Sequence, residues 1–413
     1  MTPSLETPQS MRFATVAGVI LVLSLCLGLA CGPELPPAHD AGTTAHDAGA
    51  EASDAATSAA DAGVETPDAS TSAADAEVET PGAGSAALDA GRPTDAGSTG
   101  HDAGATVADA GHGEFDARCP GASRVITVAP SGGGDFKTIQ AAVDSIPANN
   151  PAPVQIRLRP GTYAEHVDIT QPHVCLTGDD AESTIITATA GTNIVTGGTV
   201  IVTGADFSAA NITFENSAPN GSAQAVALMA KGSRQQFLDC RFLSYQDTLY
   251  VASGTQYFRR CYIQGSTDYI FGEATAVFEG CTVNNVADGS AIVAPRTPQS
   301  APYGFVFLGG SLTATPTTSP VGAHRVHLGR PWGPYAAATF IGVSMGEHIA
   351  GEGWTTMGPN DLSNTRFREY DSSGPGANPT DATRAPRQLT EAQANGYTVS
   401  SVLKPWAPGY SNP

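Results

Sequence analysis

Three segments of the chain repeat at an interval of 20 or 21 residues. They begin at Cys240, Cys261 and Cys281, and each has an apolar residue two positions later and an aspartate seven positions later. A repeat of about 20 residues with strand-type composition is typical of a solenoid in which every repeat forms one coil. Adjacent coils are spaced like paired strands, about 4.7 to 4.9 Å apart, so residues at the same offset are predicted to stack.

The chain around this repeat also has the composition of short strands. Val154–Leu158, Thr184–Ile186 and Thr199–Val202 are separated by segments rich in Gly, Asn, Asp and Pro, which favour turns. One stretch, 136–146, instead has apolar residues at helical spacing. We expect an all-β solenoid whose N-terminal end is covered by this helix.

Stacking would place the carboxylates of Asp247 and Asp268 side by side. Two such carboxylates cannot both ionise cheaply, so one proton is retained near neutral pH. The pair would then supply one charged carboxylate and one carboxylic acid able to donate a proton. Asp288 shares the offset but precedes Gly289, and Asp-Gly is typical of a turn, so we interpret Asp288 as structural.

The same stacking argument applies to the cysteines. It makes Cys261 and Cys281 the most plausible disulfide, with Cys240 continuing the ladder. The region from residue 119 onward contains five cysteines, so at least one thiol stays unpaired. The pairing of Cys119, Cys175 and Cys240 is left open by the sequence.

The N-terminus has the features of an export signal. Residues 13–30 are almost wholly apolar and follow Arg12, which predicts a signal peptide over residues 1–31. The residues before Cys31 are similar to a bacterial lipoprotein processing site. Free secretion and attachment to the outer surface through lipidated Cys31 are therefore both open.

Residues 32–118 are predicted to be a disordered acidic linker. They repeat Asp-Ala-Gly seven times and contain 17 acidic residues against two arginines. Such a segment buries too little apolar surface to offset the entropy of ordering it, and its charge keeps it extended. No region is basic enough to predict nucleic-acid binding. Residues 119–413 are long enough for one core, and we expect this domain to be monomeric.

Several motifs resemble the pectinesterase family. They include Gln246–Tyr250 (QDTLY), Asp268–Gly272 (DYIFG) and Leu328–Trp332 (LGRPW). Further matches follow the family order over 125–403: Gly134–Ala142, Gly161–Glu165, Ile212–Asn216, Gln224–Leu228 and Glu352–Trp354. The resemblance implies a right-handed, single-stranded parallel β-helix that hydrolyses the methyl esters of pectin to pectate and methanol, in a bacterial member that is secreted or lipid-anchored.

The resemblance also implies residue roles. Asp268 would attack the ester carbonyl, and Asp247 would act as general acid and then as base. Gln224 and Gln246 would donate amide hydrogens to the oxyanion. Arg330 would hold Asp268 ionised and oriented.

Aromatic residues would form the sugar subsites, namely Trp332, Tyr250 and Phe271. No metal or other cofactor is implied, because amides polarise the carbonyl. The sequence departs from the family at Gly333–Tyr335, where a basic residue is often found. Its absence would weaken attraction to demethylated, anionic pectin.

Other functions remain open. A β-helical glycoside hydrolase also uses close carboxylates, although the two glutamines would then have no obvious task. A lipoprotein esterase of the same family could act on a non-pectin ester or thioester. Gly342–Gly346 formally matches a serine nucleophile elbow but lacks the required strand and helix around it. A non-catalytic adhesin is a further alternative, disfavoured by the complete Asp, Gln and Arg set.

Overall fold

The chain winds repeatedly through three parallel β-sheets, here called A, B and C, visiting them in that order. The computed structural model describes residues 119–189, 197–222, 224–315 and 321–411. The predicted signal (1–31, with Cys31) and the predicted linker (32–118) lie outside these described residues. Each strand pairs in parallel with strands of the neighbouring coils, so the predicted parallel β-helix is confirmed.

Strands are numbered in chain order. Within the described residues, sheet A stacks ten strands: β1 (Arg124–Val128), β2 (Val154–Leu158), β5 (Val174–Gly178), β8 (Ser208–Ala210), β11 (Gln235–Leu238), β14 (Thr255–Arg259), β17 (Thr275–Glu279), β20 (Phe305–Leu308), β23 (Ala337–Ile341) and β25 (Arg366–Tyr370). Sheet B stacks β3 (Gly161–Ala164), β6 (Thr184–Ala188), β9 (Thr213–Asn216), β12 (Arg241–Leu243), β15 (Tyr262–Gly265), β18 (Thr282–Asn285), β21 (Ser311–Ala314) and β24 (Ser344–Met345).

Sheet C stacks seven strands within the described residues. It stacks β4 (Val167–Ile169), β7 (Val200–Val202), β10 (Leu228–Ala230), β13 (Leu249–Val251), β16 (Ile270–Gly272), β19 (Ala291–Pro295) and β22 (His327–Gly329). The three strand segments predicted from the sequence correspond to β2, β6 and β7.

A ladder of phenylalanines fills the interior of the coil stack. Phe237, Phe258, Phe278, Phe307 and Phe340 lie on consecutive coils, with ring centroids 4.7, 4.8, 4.6 and 4.4 Å apart and nearly parallel planes. All five rings are buried. The separation matches the spacing of paired strands, so strand pairing and ring stacking reinforce each other.

The predicted helix is present but shorter than expected. Helix α1 spans Ile139–Asp144, because the side chain of Thr138 caps its first turn and Phe136 instead bridges to Val128. Ile139, Ala142 and Val143 are buried, and the helix packs against β1, β2 and β4 at the N-terminal end of the stack, as predicted.

Two further α-helices follow the last strand, α2 (Glu391–Ala394) and α3 (Val399–Leu403), with 3-10 turns at Ala385–Arg387 and Gly409–Ser411. Helix α3 packs against β17 of sheet A. No helix in the part of the chain that the structure describes is long and apolar enough to cross a membrane.

The predicted disulfide between Cys261 and Cys281 is wrong. The structure instead joins Cys119 to Cys175, tying the segment before β1 to β5. Cys240, Cys261 and Cys281 do stack as predicted, but they are buried free thiols. Side chains at equivalent positions of parallel coils point the same way, so their thiols do not converge on each other as a disulfide requires.

The repeat interval is not uniform around the coil. In sheet B, Tyr262 pairs with Thr282, which preserves the 20-residue interval. In sheet C, Ile270 pairs with Val293, an interval of 23 residues. The coil that begins at Cys281 therefore contains three extra residues before its strand in sheet C. Ala291, and not Asp288, therefore occupies the position that stacks on Asp268.

Candidate active site

Asp247 and Asp268 lie in equivalent turns between sheet B and sheet C on neighbouring coils. The backbone N–H of Asp247 donates to the carbonyl of Thr267 at 3.2 Å, and that of Asp268 donates to the carbonyl of Ala291 at 2.7 Å. Both aspartates have positive φ, 63° and 50°. This conformation is uncommon for residues other than glycine, and aspartate tolerates it better than most. The shared conformation lets both side chains reach the same pocket.

The pocket has a volume of about 160 Å³. It is lined by the five predicted catalytic residues, two of the predicted aromatics and two residues not predicted: Gln224, Gln246, Asp247, Asp268, Arg330, Phe271, Trp332, Ala294 and Met357. The predicted carboxylates, amides and guanidinium therefore come together at one place on sheet C. Asp288 lies outside, where its carboxylate accepts a hydrogen bond from the backbone N–H of Gly322 at 2.8 Å.

The glutamines reach the pocket from the same set of turns. Gln246 bridges to Thr267 on the next coil. The backbone N–H of Ala225, next to Gln224, donates to the carbonyl of Gln246 at 3.0 Å. Strand pairing thus positions both amides beside the carboxylates.

Arg330 directly follows β22 and reaches back to Asp268. Its Nε donates to Oδ1 at 2.8 Å and its Nη2 donates to Oδ2 at 2.6 Å. The aspartate side chain is 6% exposed and that of the arginine 22% exposed. A bidentate, charge-assisted pair of this kind fixes the orientation of the carboxylate and favours its ionised form.

The two aspartates differ in how their charge is stabilised. Burial, together with the charge of Asp268, raises the pKa of Asp247 to about 7, and Arg330 opposes this shift. Burial also raises the pKa of Asp268, but the hydrogen bonds and charge of Arg330 act against the rise. Near neutral pH the arrangement can therefore offer Asp268 as a carboxylate and Asp247 as a proton donor.

The predicted aromatic residues form one cluster. Tyr250 and Phe271 stack with centroids 4.4 Å apart and planes within 5° of parallel. Trp332 packs edge-on against both, at 6.4 Å from Tyr250 and 5.9 Å from Phe271. Phe271 and Trp332 line the pocket, whereas Tyr250 does not line it and instead supports Phe271 from the preceding coil.

Sequence reasoning missed Met357 and Ala294. Met357 lies in a turn closed by hydrogen bonds with Asn360, whose side chain amide donates to the carbonyl of Trp332 at 3.1 Å. A methionine in an irregular loop carries no periodic or chemical signal. Ala294 could have been found only from the register of β19 on Phe271.

The sequence model of the pectinesterase family matches residues 125–405. Among curated proteins, the chain is 35% identical over 300 residues to pectinesterase 31 of Arabidopsis thaliana, covering 68% of this chain and 93% of that protein. The chain belongs to the pectinesterase family. Pectinesterase 1 of Citrus sinensis is 36% identical, covering 67% of this chain and 50% of that protein. These relatives are plant enzymes and do not support the expected bacterial origin.

Solved structures are similar to this pectinesterase over the same region. The pectin methylesterase from carrot has a TM-score of 0.61 and 32% identity, covering 67% of this chain and 92% of that one. The pectin methylesterase from Erwinia chrysanthemi has a TM-score of 0.60 and 32% identity, covering 70% and 98%. A pectin methylesterase in complex with a hexasaccharide has a TM-score of 0.60 and 31% identity, covering 68% and 98%.

Proposed function

We propose that this pectinesterase hydrolyses the methyl esters of galacturonate units in pectin, giving pectate and methanol. The observation that carries the proposal is the unequal pair of aspartates in one pocket. Asp268 is paired with Arg330, while burial raises the pKa of Asp247 to about 7. Ester hydrolysis by this route needs a nucleophile and a separate proton donor, and the pocket would supply both.

In the first half of the reaction, a carboxylate oxygen of Asp268 attacks the ester carbonyl carbon. The carbonyl π electrons move onto oxygen, and the amides of Gln224 and Gln246 donate hydrogen bonds to the resulting oxyanion. Each such donor is worth roughly 3 to 4 kcal/mol in other enzymes. Collapse of the tetrahedral intermediate breaks the bond to methoxide, which takes the proton of Asp247 and leaves as methanol.

In the second half, Asp247 is the base that its own proton transfer has produced. It removes a proton from water, and the hydroxide attacks the acyl carbon of the mixed anhydride between the sugar and Asp268. Breakdown of this intermediate releases the galacturonic acid unit and restores the carboxylate of Asp268. Arg330 stabilises that carboxylate as the leaving group through both of its hydrogen bonds.

Phe271 and Trp332 form the apolar wall of the subsite that holds the reacting sugar. Their rings line the pocket beside Asp268, and aromatic rings pack well against the apolar faces of sugars. Tyr250 contributes by keeping Phe271 in place. The hexasaccharide complex of the similar pectin methylesterase supports a polysaccharide as substrate.

The N-terminal sequence is typical of an exported protein, so the enzyme would act on pectin outside the cell. Residues 1–31 would direct export, with or without lipidation of Cys31, and residues 32–118 would act as an acidic spacer before the catalytic domain of 119–413. The basis for this proposal is the sequence composition alone.

The test is a time course of methanol release from highly methylated pectin by the full chain, with reducing ends measured in parallel. We expect methanol without new reducing ends. Reducing ends without methanol would identify a glycoside hydrolase instead. Thiol release from short acyl thioesters, without methanol release from pectin, would identify a different ester as substrate.

A further inference from the structure

Arg296 places a guanidinium against the ring of Trp332, a wall of the catalytic pocket. Its Cζ lies 5.1 Å from the ring centroid, and its side chain is 55% exposed. Arg296 directly follows β19, and its backbone N–H donates to the carbonyl of Gly272 at 2.8 Å. Strand pairing and a cation–π contact thus hold this charge beside the site while leaving it open to solvent.

Glu273 is the neighbour of Arg296 on the preceding coil. Gly272 pairs with Pro295, so the next residues of the two strands face each other, and Arg296 Nη1 lies 3.4 Å from Glu273 Oε1. The glutamate side chain is 39% exposed. An ion pair this open to water holds its partners weakly, so another carboxylate can compete for the guanidinium.

Gly333 is the position that makes room for this arginine. A Cβ added to Gly333 would lie 2.8 Å from Cγ of Arg296. Gly333–Tyr335 contains no basic residue, and Arg296 supplies a cation to the same wall of the pocket from a different strand. Among the described residues that line the pocket, Arg330 is the one cation, and its guanidinium is already paired with Asp268 through two hydrogen bonds.

We propose that Arg296 determines specificity by binding the carboxylate of an already demethylated galacturonate unit next to the methyl ester being hydrolysed. Each hydrolysed ester leaves such a carboxylate, and a planar guanidinium suits it because it can donate two parallel hydrogen bonds. Glu273 is the competing anion that the substrate carboxylate displaces. This inference rests on the proposed pectin methylesterase activity and adds that the enzyme favours esters beside demethylated units.

The test compares kcat/KM for methanol release from two pectins of equal chain length, one highly methylated and one partly demethylated by alkali. We expect Arg296→Gln to lower the preference for the demethylated pectin by about tenfold, the usual effect of losing one charge-assisted hydrogen bond. Glu273→Gln should raise the same preference, because the guanidinium is then unopposed. Both effects should shrink as salt is added.

Arg325→Gln is the matched control. Arg325 is also an exposed arginine paired with a carboxylate, 3.9 Å from Asp288, and it does not line the pocket. Its substitution should leave the preference unchanged. An equal loss on both pectins in Arg296→Gln would overturn the proposal, since that result assigns Arg296 only to the support of Trp332. Preferences unchanged in both Arg296→Gln and Glu273→Gln would overturn it as well. Failure of the wild-type chain to release methanol from either pectin would instead refute the proposed function.

Discussion

Arg330 donates two hydrogen bonds to Asp268, one to each carboxylate oxygen, at 2.8 and 2.6 Å. Asp247, on the preceding coil, is 7% exposed, and burial is the main reason its pKa is raised to about 7. The division of labour proposed for two chemically identical side chains therefore follows from which of them the arginine reaches.

Replacing Arg330 by lysine tests this relationship. Lysine keeps the charge but cannot donate in the planar, two-pronged geometry, so the pKa of Asp268 should rise and its orientation should loosen. We expect kcat/KM for methanol release to fall by about 10- to 100-fold, the cost of one charge-assisted hydrogen bond. The acid limb of the pH–rate profile should also move to higher pH. A uniform loss with an unmoved acid limb would contradict the assigned role.

The pH dependence of the wild type provides a second prediction. In the proposed mechanism the first half of the reaction needs Asp247 protonated, and its pKa is raised to about 7. Activity should therefore fall as the pH rises through about 7, because the proton donor is lost. The measurement is kcat/KM as a function of pH, which reports the free enzyme. An alkaline limb absent up to pH 9 would be inconsistent with Asp247 as general acid.

Asp247 should also lower the free energy of unfolding when its buried side chain is ionised. The folded pKa of Asp247 is raised from 3.8 to about 7, so the folded state favours the protonated side chain. The stability that comes from this preference is complete below about pH 4 and is lost as the pH rises through 7. A shift of this size corresponds to at most about 4 kcal/mol. Asp247→Asn should raise the melting temperature at pH 8 more than at pH 5. Equal effects of Asp247→Asn at both pH values would count against the raised pKa.

Disulfide mapping tests the corrected pairing. A peptide map without reductant should find Cys119 linked to Cys175. Cys240, Cys261 and Cys281 are buried free thiols, so they should be alkylated only after unfolding. Burial also raises the pKa of the Cys261 thiol. Replacing both Cys119 and Cys175 by alanine should lower the free energy of unfolding by about 2 to 5 kcal/mol. A recovered Cys261–Cys281 peptide would refute the observed arrangement.

The repeat interval predicted much of this site because strand pairing is regular over the coils that carry Asp247 and Asp268. The interval alone would stack Asp288 on Asp268, but the Asp-Gly pattern already indicated a turn residue there, and Asp288 does lie outside the pocket. Three extra residues shift the register of sheet C by the next coil, while sheet B keeps its spacing. An insertion of this kind changes no local pattern, so only the pairing of Ile270 with Val293 reveals it.

The cysteine error has a different cause. The interval correctly predicts which cysteines are neighbours, but a disulfide also needs side chains that converge, and equivalent positions on parallel coils do not. Cys119 and Cys175 are brought together by segments that share no repeat offset. Met357 was missed because the sequence gives no measure of which loops meet at the pocket.

The most direct test of the central claim is methanol release from highly methylated pectin by Asp268→Asn. The substitution keeps the size of the side chain and replaces the nucleophilic carboxylate by an uncharged amide, so we expect kcat to fall by about 10,000-fold or more while pectin binding persists. Asp288→Asn, which changes the aspartate at the same repeat offset outside the pocket, should retain full activity. An Asp268→Asn variant that still releases methanol at a rate within tenfold of the wild type would contradict Asp268 as the nucleophile.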